Sequence, residues 1–161
     1  AVFPLLQVGP HDNSVAAKAI AFEEAARPEF KKYTKQIVAN AKTLADTLME
    51  NGFRLVSGGT DNHLILVDLT NTGISGKQGE ELLDIAGITV NRNTIPFDQR
   101  EPLDPSGVRL GTPILTTRGM KENEMKEIAN FMADVIIKKE DPTKVRSRVE
   151  ELCRESPAFT W

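Results

Sequence analysis

The sequence contains a single cysteine, Cys153, among its 161 residues. An internal disulfide is therefore excluded, which favours a reducing compartment, and we expect a cytoplasmic protein. No apolar run approaches the ~20 residues that a membrane-spanning helix needs. The sequence shows no charged segment followed by an apolar one, the pattern of a secretory leader, so secretion is not expected. The chain has only two histidines, His11 and His63, no cysteine pair and no acidic pair at helical spacing beside them. A metal site is therefore not expected.

The sequence also lacks a strong bias of charge. It has 20 Lys and Arg and 23 Asp and Glu, which gives a net charge of −3, and the two signs are mixed along the chain. Without a basic stripe, nucleic acid is not an expected partner, and neither is a membrane. A hydrophobic content of 40% is that of an ordinary globular protein.

Apolar periodicity predicts both helices and strands. We expect helices over about 12–27, 28–50, 75–86, 120–139 and 141–155. The first is rich in alanine, and apolar residues recur at three- and four-residue spacing in 28–50 and 120–139. We expect strands over 53–56, 63–69, 88–90 and 107–111, and the continuous apolar run of 63–69 predicts a strand covered on both faces. The fold class is therefore α/β in the α+β sense, a small, mainly antiparallel sheet with helices packed on it.

The segment Ser106–Pro113 places an arginine on the last of these strands. Val108 and Leu110 alternate with Arg109, so the strand buries the two apolar side chains and presents Arg109 from its other face. A guanidinium on a rigid strand is a preformed fork for a planar carboxylate or phosphate. The alternative is a solvated or structurally paired arginine.

Two longer strings carry a family resemblance. They are Asn91-Arg92-Asn93-Thr94-Ile95-Pro96-Phe97-Asp98 leading into Gly107-Val108-Arg109-Leu110-Gly111-Thr112-Pro113, and Ser57-Gly58-Gly59-Thr60-Asp61-Asn62-His63-Leu64 leading into Ile65-Leu66-Val67-Asp68-Leu69. In these strings the chain resembles the C-terminal part of serine hydroxymethyltransferase, and the resemblance extends over essentially the whole chain.

The resemblance implies an activity and its cofactors. It implies a pyridoxal-phosphate enzyme of fold type I that interconverts serine and glycine, with tetrahydrofolate as the one-carbon acceptor, in a homodimer or higher homo-oligomer. Residues 1–27 would end the large-domain region, and residues 28–161 would form the C-terminal small domain. Arg109 would hold the substrate carboxylate.

The resemblance also implies a folate contact at Asn93. The residue that matches Asn93 in the family contacts the folate, and the loop that follows it helps to shape the pteridine site. Three prolines make residues 93–105 an irregular but stiff segment. The alternative is that this loop is a plain crossover between strands.

The N-terminal loop matches the family only in part. The family pattern Phe-Pro-Gly-x-Gln-Gly-Gly-Pro corresponds to residues 3–10, in which Gly9 matches a family glycine while Leu5 and Val8 replace the other two. In the family this loop offers backbone N–H groups to the cofactor phosphate, so Gly9 is the predicted cofactor contact. A plain surface turn is the alternative.

No catalytic residue is predicted within this chain. The family's Schiff-base lysine lies in a threonine-rich segment followed by His-Lys, which has no counterpart here. We therefore expect that this chain alone is inactive and carries a substrate clamp and part of a folate site. The second hypothesis is a catalytically silent module for assembly or ligand binding, which Leu5 and Val8 favour. His63 is interpreted as a hydrogen-bonded structural residue.

Overall fold

The computed structural model describes residues 3–6 and 8–158, and these ranges contain six helices and four strands. The helices are α1 (Asp12–Ala26), α2 (Pro28–Glu50), α3 (Gly76–Ile85), α4 (Pro113–Thr117), α5 (Glu122–Ile136) and α6 (Pro142–Glu155). The strands are β1 (Arg54–Leu55), β2 (Leu64–Asp68), β3 (Asn91–Asn93) and β4 (Gly107–Gly111). None of the described helices is long and apolar enough to cross a membrane. Gln7, within the predicted N-terminal loop, lies outside the described residues.

The chain divides into two compact units, Ala1–Lys35 and Gln36–Trp161, and the boundary falls within α2. In the first unit, α1 buries none of its residues. Its apolar side chains Val15, Ile20 and Phe22 are all exposed. The second unit contains the whole sheet and the hydrophobic core.

The four strands form one antiparallel sheet in the order β1-β2-β4-β3. The longest pairing joins β2 to β4, from Leu64 opposite Gly111 to Asp68 opposite Gly107. Because β4 is central, it has a hydrogen-bonded neighbour on each side. The predicted fold class, a small antiparallel sheet with helices packed on it, is confirmed.

One face of the sheet packs against helices to form the core. Val67 of β2 and Val108 of β4 are fully buried there, as are Leu44 and Leu48 of the second unit's part of α2. The apolar stripe of α5 completes this layer through Met125, which is also fully buried. The amphipathic patterns that predicted α2 and α5 therefore reflect core packing, as expected.

Two predictions about the strands are wrong. Residues 88–90 are not a strand, because the Ile88 N–H bonds to the carbonyl of Leu83 at 2.8 Å and so belongs to the end of α3. The pairing with β4 begins only at Asn91. Strand β2 is also not covered on both faces within the second unit: Ile65 is buried, whereas Leu64 is 37% exposed. An antiparallel sheet can leave one face open even when its residues are apolar.

A short helix that the sequence pattern did not predict follows directly after β4. Pro113 ends the strand as expected, but it is also the first residue of the short helix α4. Proline suits this position because its fixed φ matches the helix and its missing N–H would have no partner there. Helix α5 is shorter than predicted, since it spans Glu122–Ile136.

Candidate functional site

Arg109 lies at the middle of β4 on the open face of the sheet. Its backbone pairs with Leu66 of β2 on one side and Asn91 of β3 on the other. The alternation predicted from the sequence is observed, because Val108 is fully buried and Arg109 is exposed. Among the described residues, no hydrogen bond or ion pair involves the Arg109 side chain. The strand thus holds an unpaired guanidinium on a fixed backbone.

A groove of about 360 Å³ runs beside Arg109. Its walls include His63, Leu64, Thr89 and Asn91, and Arg109 is the one lysine or arginine among the described residues that line it. The His63 side chain is exposed and makes no hydrogen bond to a described residue, so its interpretation as a hydrogen-bonded structural residue is wrong. The backbone instead serves the fold, because the His63 carbonyl accepts the Thr112 N–H at 3.2 Å.

The carboxylate of Asp68 lies on the same face but is already paired. Asp68 accepts hydrogen bonds from the Thr70 N–H at 2.9 Å and the Thr70 hydroxyl at 2.7 Å, and it forms an ion pair with Arg54. Burial raises the pKa of Asp68, but the bonds from Thr70 and Arg54 outweigh burial and lower that pKa below its ordinary value. Asp68 is therefore a satisfied anion, and it leaves the positive charge of Arg109 available.

Gly107, at the start of β4, is required by close backbone contacts. A Cβ there would lie 2.8 Å from the Val67 carbonyl oxygen and 2.9 Å from the Asn93 carbonyl oxygen. A Cβ on Gly76, the first residue of α3, would in turn overlap the carbonyl of Gly107. These two glycines let α3 and β3 approach the start of the strand that carries Arg109.

Asn93 ends β3 opposite Gly107. Directly opposed residues of an antiparallel pair share a face, and so do residues two apart in one strand. Asn93 therefore lies on the same face as Asn91 and Arg109. Its side-chain Nδ2 donates to the Thr94 carbonyl at 2.7 Å, a local bond of the kind that asparagine makes in turns. The structure brings the two predicted site residues of this unit onto one face.

Asp98 organises the loop that follows Asn93. Its carboxylate accepts the backbone N–H groups of Ile95 at 3.2 Å, Arg100 at 3.0 Å and Ser106 at 2.9 Å, and the Ser106 hydroxyl at 2.6 Å. Burial raises the pKa of Asp98, but these bonds prevail and lower it far below its ordinary value. Sequence reasoning assigned no role to Asp98, although an aspartate two residues before a backbone donor is a known turn pattern.

The same loop presents an aromatic side chain to solvent. Phe97 is 95% exposed and has a φ of +57°, a left-handed backbone conformation that is uncommon for a residue with a Cβ. Its neighbour Asp98 supplies the bonds that hold this conformation. The loop is therefore irregular but anchored, as the prolines indicated.

A buried amide fixes the segment after β4. Asn40 of α2 is fully buried, and its Nδ2 donates to the Thr116 hydroxyl and to the Met120 carbonyl, both at 2.9 Å. The Thr112 hydroxyl donates to the Ile37 carbonyl at 2.8 Å. These bonds tie α2 to both ends of α4 and so anchor the end of the strand that carries Arg109.

Gly9 belongs to the first unit and is described by itself. It is exposed, and a Cβ built on it would meet no atom within 4 Å. Leu5 and Val8, which replace glycines of the family pattern, are also exposed. The loop is therefore open to an approaching group, and the described residues around Gly9 do not enclose a phosphate pocket.

Residues 3–6 and 8–158 contain no group of three or more His, Cys, Asp or Glu side chains that could hold a metal ion. The site instead consists of a guanidinium, amides and a stiff loop. Such groups recognise planar anions and polar heterocycles through directed hydrogen bonds.

Fold and site together define an α/β protein with an exposed arginine on the open face of an antiparallel sheet. A comparison with protein-family models narrows this class: the model described as serine hydroxymethyltransferase matches residues 1–132. The chain belongs to the serine hydroxymethyltransferase family. The predicted resemblance is confirmed.

Proposed function

We propose that this chain supplies the amino-acid carboxylate site of a pyridoxal-phosphate-dependent enzyme that interconverts serine and glycine, with tetrahydrofolate as the one-carbon carrier. Family membership supports the class of reaction. The observation that carries the assignment of the site is the unpaired Arg109 guanidinium on the central strand of the sheet.

Arg109 suits a carboxylate for geometric reasons. Guanidinium and carboxylate groups are both planar and can form two parallel N–H···O bonds, which fix orientation as well as position. The rigid pairing of β4 on both sides limits movement of the Arg109 backbone. A substrate held in this way presents one chosen bond of its α-carbon to the reacting group.

Pyridoxal phosphate, when bound, supplies an electron sink for the bond that breaks at the α-carbon. The open backbone at Gly9 fits one part of this group, since a phosphate can approach its N–H without meeting a side chain on Gly9. The rest of the phosphate site must come from residues other than the described neighbours of Gly9. This requirement supports our proposal that the chain acts as the C-terminal portion of a larger homo-oligomeric enzyme, with residues 1–27 continuing the large domain and 28–161 forming the small one.

The oligomeric part of the proposal is supported by α1. A helix of 15 residues that buries none of them, and that exposes Val15, Ile20 and Phe22, has apolar surface to cover. The reducing compartment inferred from the single Cys153 supports a cytoplasmic location.

Asn93 is the proposed folate contact. Its amide offers both a donor and an acceptor, which matches the paired polar groups of a pterin. In the structure the donor bonds to Thr94, while no described residue donates to its Oδ1. The Asp98-anchored loop beside it gives a fixed wall, which is the property a binding loop needs.

The test of the proposed function is an assay of the full-length protein with serine, tetrahydrofolate and pyridoxal phosphate. We expect tetrahydrofolate-dependent formation of glycine. Residues 1–161 alone, under the same conditions, should form none, because no lysine in them has the expected His-Lys context. Glycine formation by residues 1–161 alone would contradict the proposed division of the site, and its absence in the full-length protein would contradict the function.

A further inference from the structure

The second unit contains an apolar cavity of about 200 Å³. It lies on the core side of β4 and is lined by side chains from α5 and α6, among them Ile128, Met132 and Leu152. Leu110 and Gly111 of β4 contribute to its wall, and the same two residues also line the groove beside Arg109. An apolar cavity of ~150 Å³ is already large enough to take benzene.

Among the described residues, one charged group lines this cavity. Arg118, the residue that follows α4, donates from Nη2 to the Cys153 carbonyl at 2.8 Å. Its Nε is buried and has no hydrogen-bond partner in the part of the chain that the structure describes. No acidic side chain among the described residues forms an ion pair with Arg118.

A buried donor without an acceptor is unfavourable, and more so on a charged group. The walls are mostly apolar, and among the described side chains that line the cavity the Thr89 hydroxyl and the weakly accepting Cys153 thiol could accept a hydrogen bond, but neither is bonded to this Nε. The chemistry that complements the cavity is therefore a compact apolar body that bears an anionic acceptor, with the anion placed at Arg118 and the body placed between α5 and α6.

We propose that this cavity is a binding site for a small aromatic or aliphatic carboxylate, with the Arg118 guanidinium as its anchor. The cavity adjoins the Arg109 groove, and both are lined by Thr89, Val90, Leu110 and Gly111. The two sites differ in their charged group, because Arg118 lines only the cavity and Arg109 lines only the groove. The proposal does not rest on the proposed function, since it uses only the cavity, its lining and the unpaired Nε of Arg118.

Benzoate is the probe, and benzyl alcohol is its uncharged control of similar shape. Cys153 lines the cavity and is the one cysteine of the chain, so its rate of alkylation by iodoacetamide reports occupancy. With the full chain we expect benzoate to slow this alkylation in a saturable manner, at constant ionic strength set with sodium chloride. Benzyl alcohol should bind about tenfold more weakly, because it cannot make the charge-assisted bond.

Two variants separate charge from shape. Arg118→Gln should reduce the affinity for benzoate to that for benzyl alcohol, while Ile128→Phe should fill the cavity and abolish binding of both. The proposal is overturned if benzoate gives no saturable protection, if the two probes bind wild type equally, or if Arg118→Gln keeps the wild-type affinity for benzoate. If Arg118→Gln does not fold, the Nε–H resonance of Arg118 in the wild-type chain decides: it must shift on titration with benzoate, and an unmoved resonance overturns the proposal.

Discussion

Arg109 and Asn93 lie on the same face of two adjacent antiparallel strands, in diagonal positions. Arg109 is paired with Asn91, and Asn93 is two residues further along β3, opposite Gly107. Side chains in such a diagonal pair are roughly 7–8 Å apart at their backbones. This spacing can place an amino-acid carboxylate at one residue and a second ligand at the other without a clash.

Replacing Asn93 with alanine tests its proposed contact with folate. We expect the KM for tetrahydrofolate to rise roughly three- to tenfold, the effect of one neutral hydrogen bond, in the full-length protein. Aldol cleavage of 3-hydroxy amino acids, which needs no folate, should keep its rate. If both rates and the melting temperature fall together, Asn93 only shapes the turn through its bond to Thr94.

Asp98 should make the stability of the loop depend on pH. The folded-state pKa of Asp98 lies below its ordinary value of 3.8, so the charged form is favoured in the folded protein. Its contribution to stability is present above pH ~4 and is lost as the pH falls further, toward the folded-state pKa. Asp98→Asn should lower the free energy of unfolding by about 1–3 kcal/mol at pH 7, because bonded backbone donors lose a charged acceptor.

The measurement for Asp98 is chemical denaturation at pH 7 and at pH 3. The difference between wild type and Asp98→Asn should shrink at the lower pH. Asp61→Asn is the matched control, because Asp61 is exposed and bonded to no described residue, and it should change stability little at either pH. A difference for Asp98→Asn that stays constant with pH would show that its charge does not matter.

Two glycines of α3 offer a contrast between a rigid and a yielding contact. A Cβ on Gly76 would overlap the backbone carbonyl of Gly107, whereas a Cβ on Gly79 would meet the end of the Leu69 side chain at 2.6 Å. Alanine is favoured over glycine in a helix by about 1 kcal/mol, which offsets part of the strain at Gly79. Gly76→Ala should therefore lower the melting temperature clearly more than Gly79→Ala. Equal melting temperatures for the two variants would contradict the close packing of α3 on the start of β4.

The sequence was sufficient to predict β4, α2 and α5, because each has a regular apolar period that matches its buried face. It was insufficient for β3, whose Asn91-Arg92-Asn93 has no apolar alternation and pairs only because β4 offers a partner. The open face of β2 was also unpredictable, since a run of apolar residues does not tell how many faces are covered. Tertiary pairing decided both cases.

The candidate site, like the fold, was predictable from the sequence only where a local pattern was sufficient. Arg109 and Asn93 could be selected from the sequence strings, and the strand period alone fixed the face that Arg109 occupies. The exposed position of His63 and the four bonds of Asp98 depend on which segments meet in space. The hydrogen bond from Asn40 to Thr116, which anchors α4, joins residues 76 positions apart. No local sequence pattern predicts a bond over that distance.

The most direct test of the proposed function is Arg109→Lys in the full-length protein, with the dissociation constants of glycine and pyridoxal phosphate measured separately. A lysine keeps the charge but loses the two-pronged geometry, so glycine should bind tenfold or more weakly, in line with ~1.5–3 kcal/mol for each charge-assisted bond. Pyridoxal phosphate should bind as in wild type, and Arg146→Lys, at an exposed ion pair of α6, should change neither constant. Unchanged affinity for glycine together with lost affinity for pyridoxal phosphate would contradict the assignment of Arg109 to the substrate carboxylate.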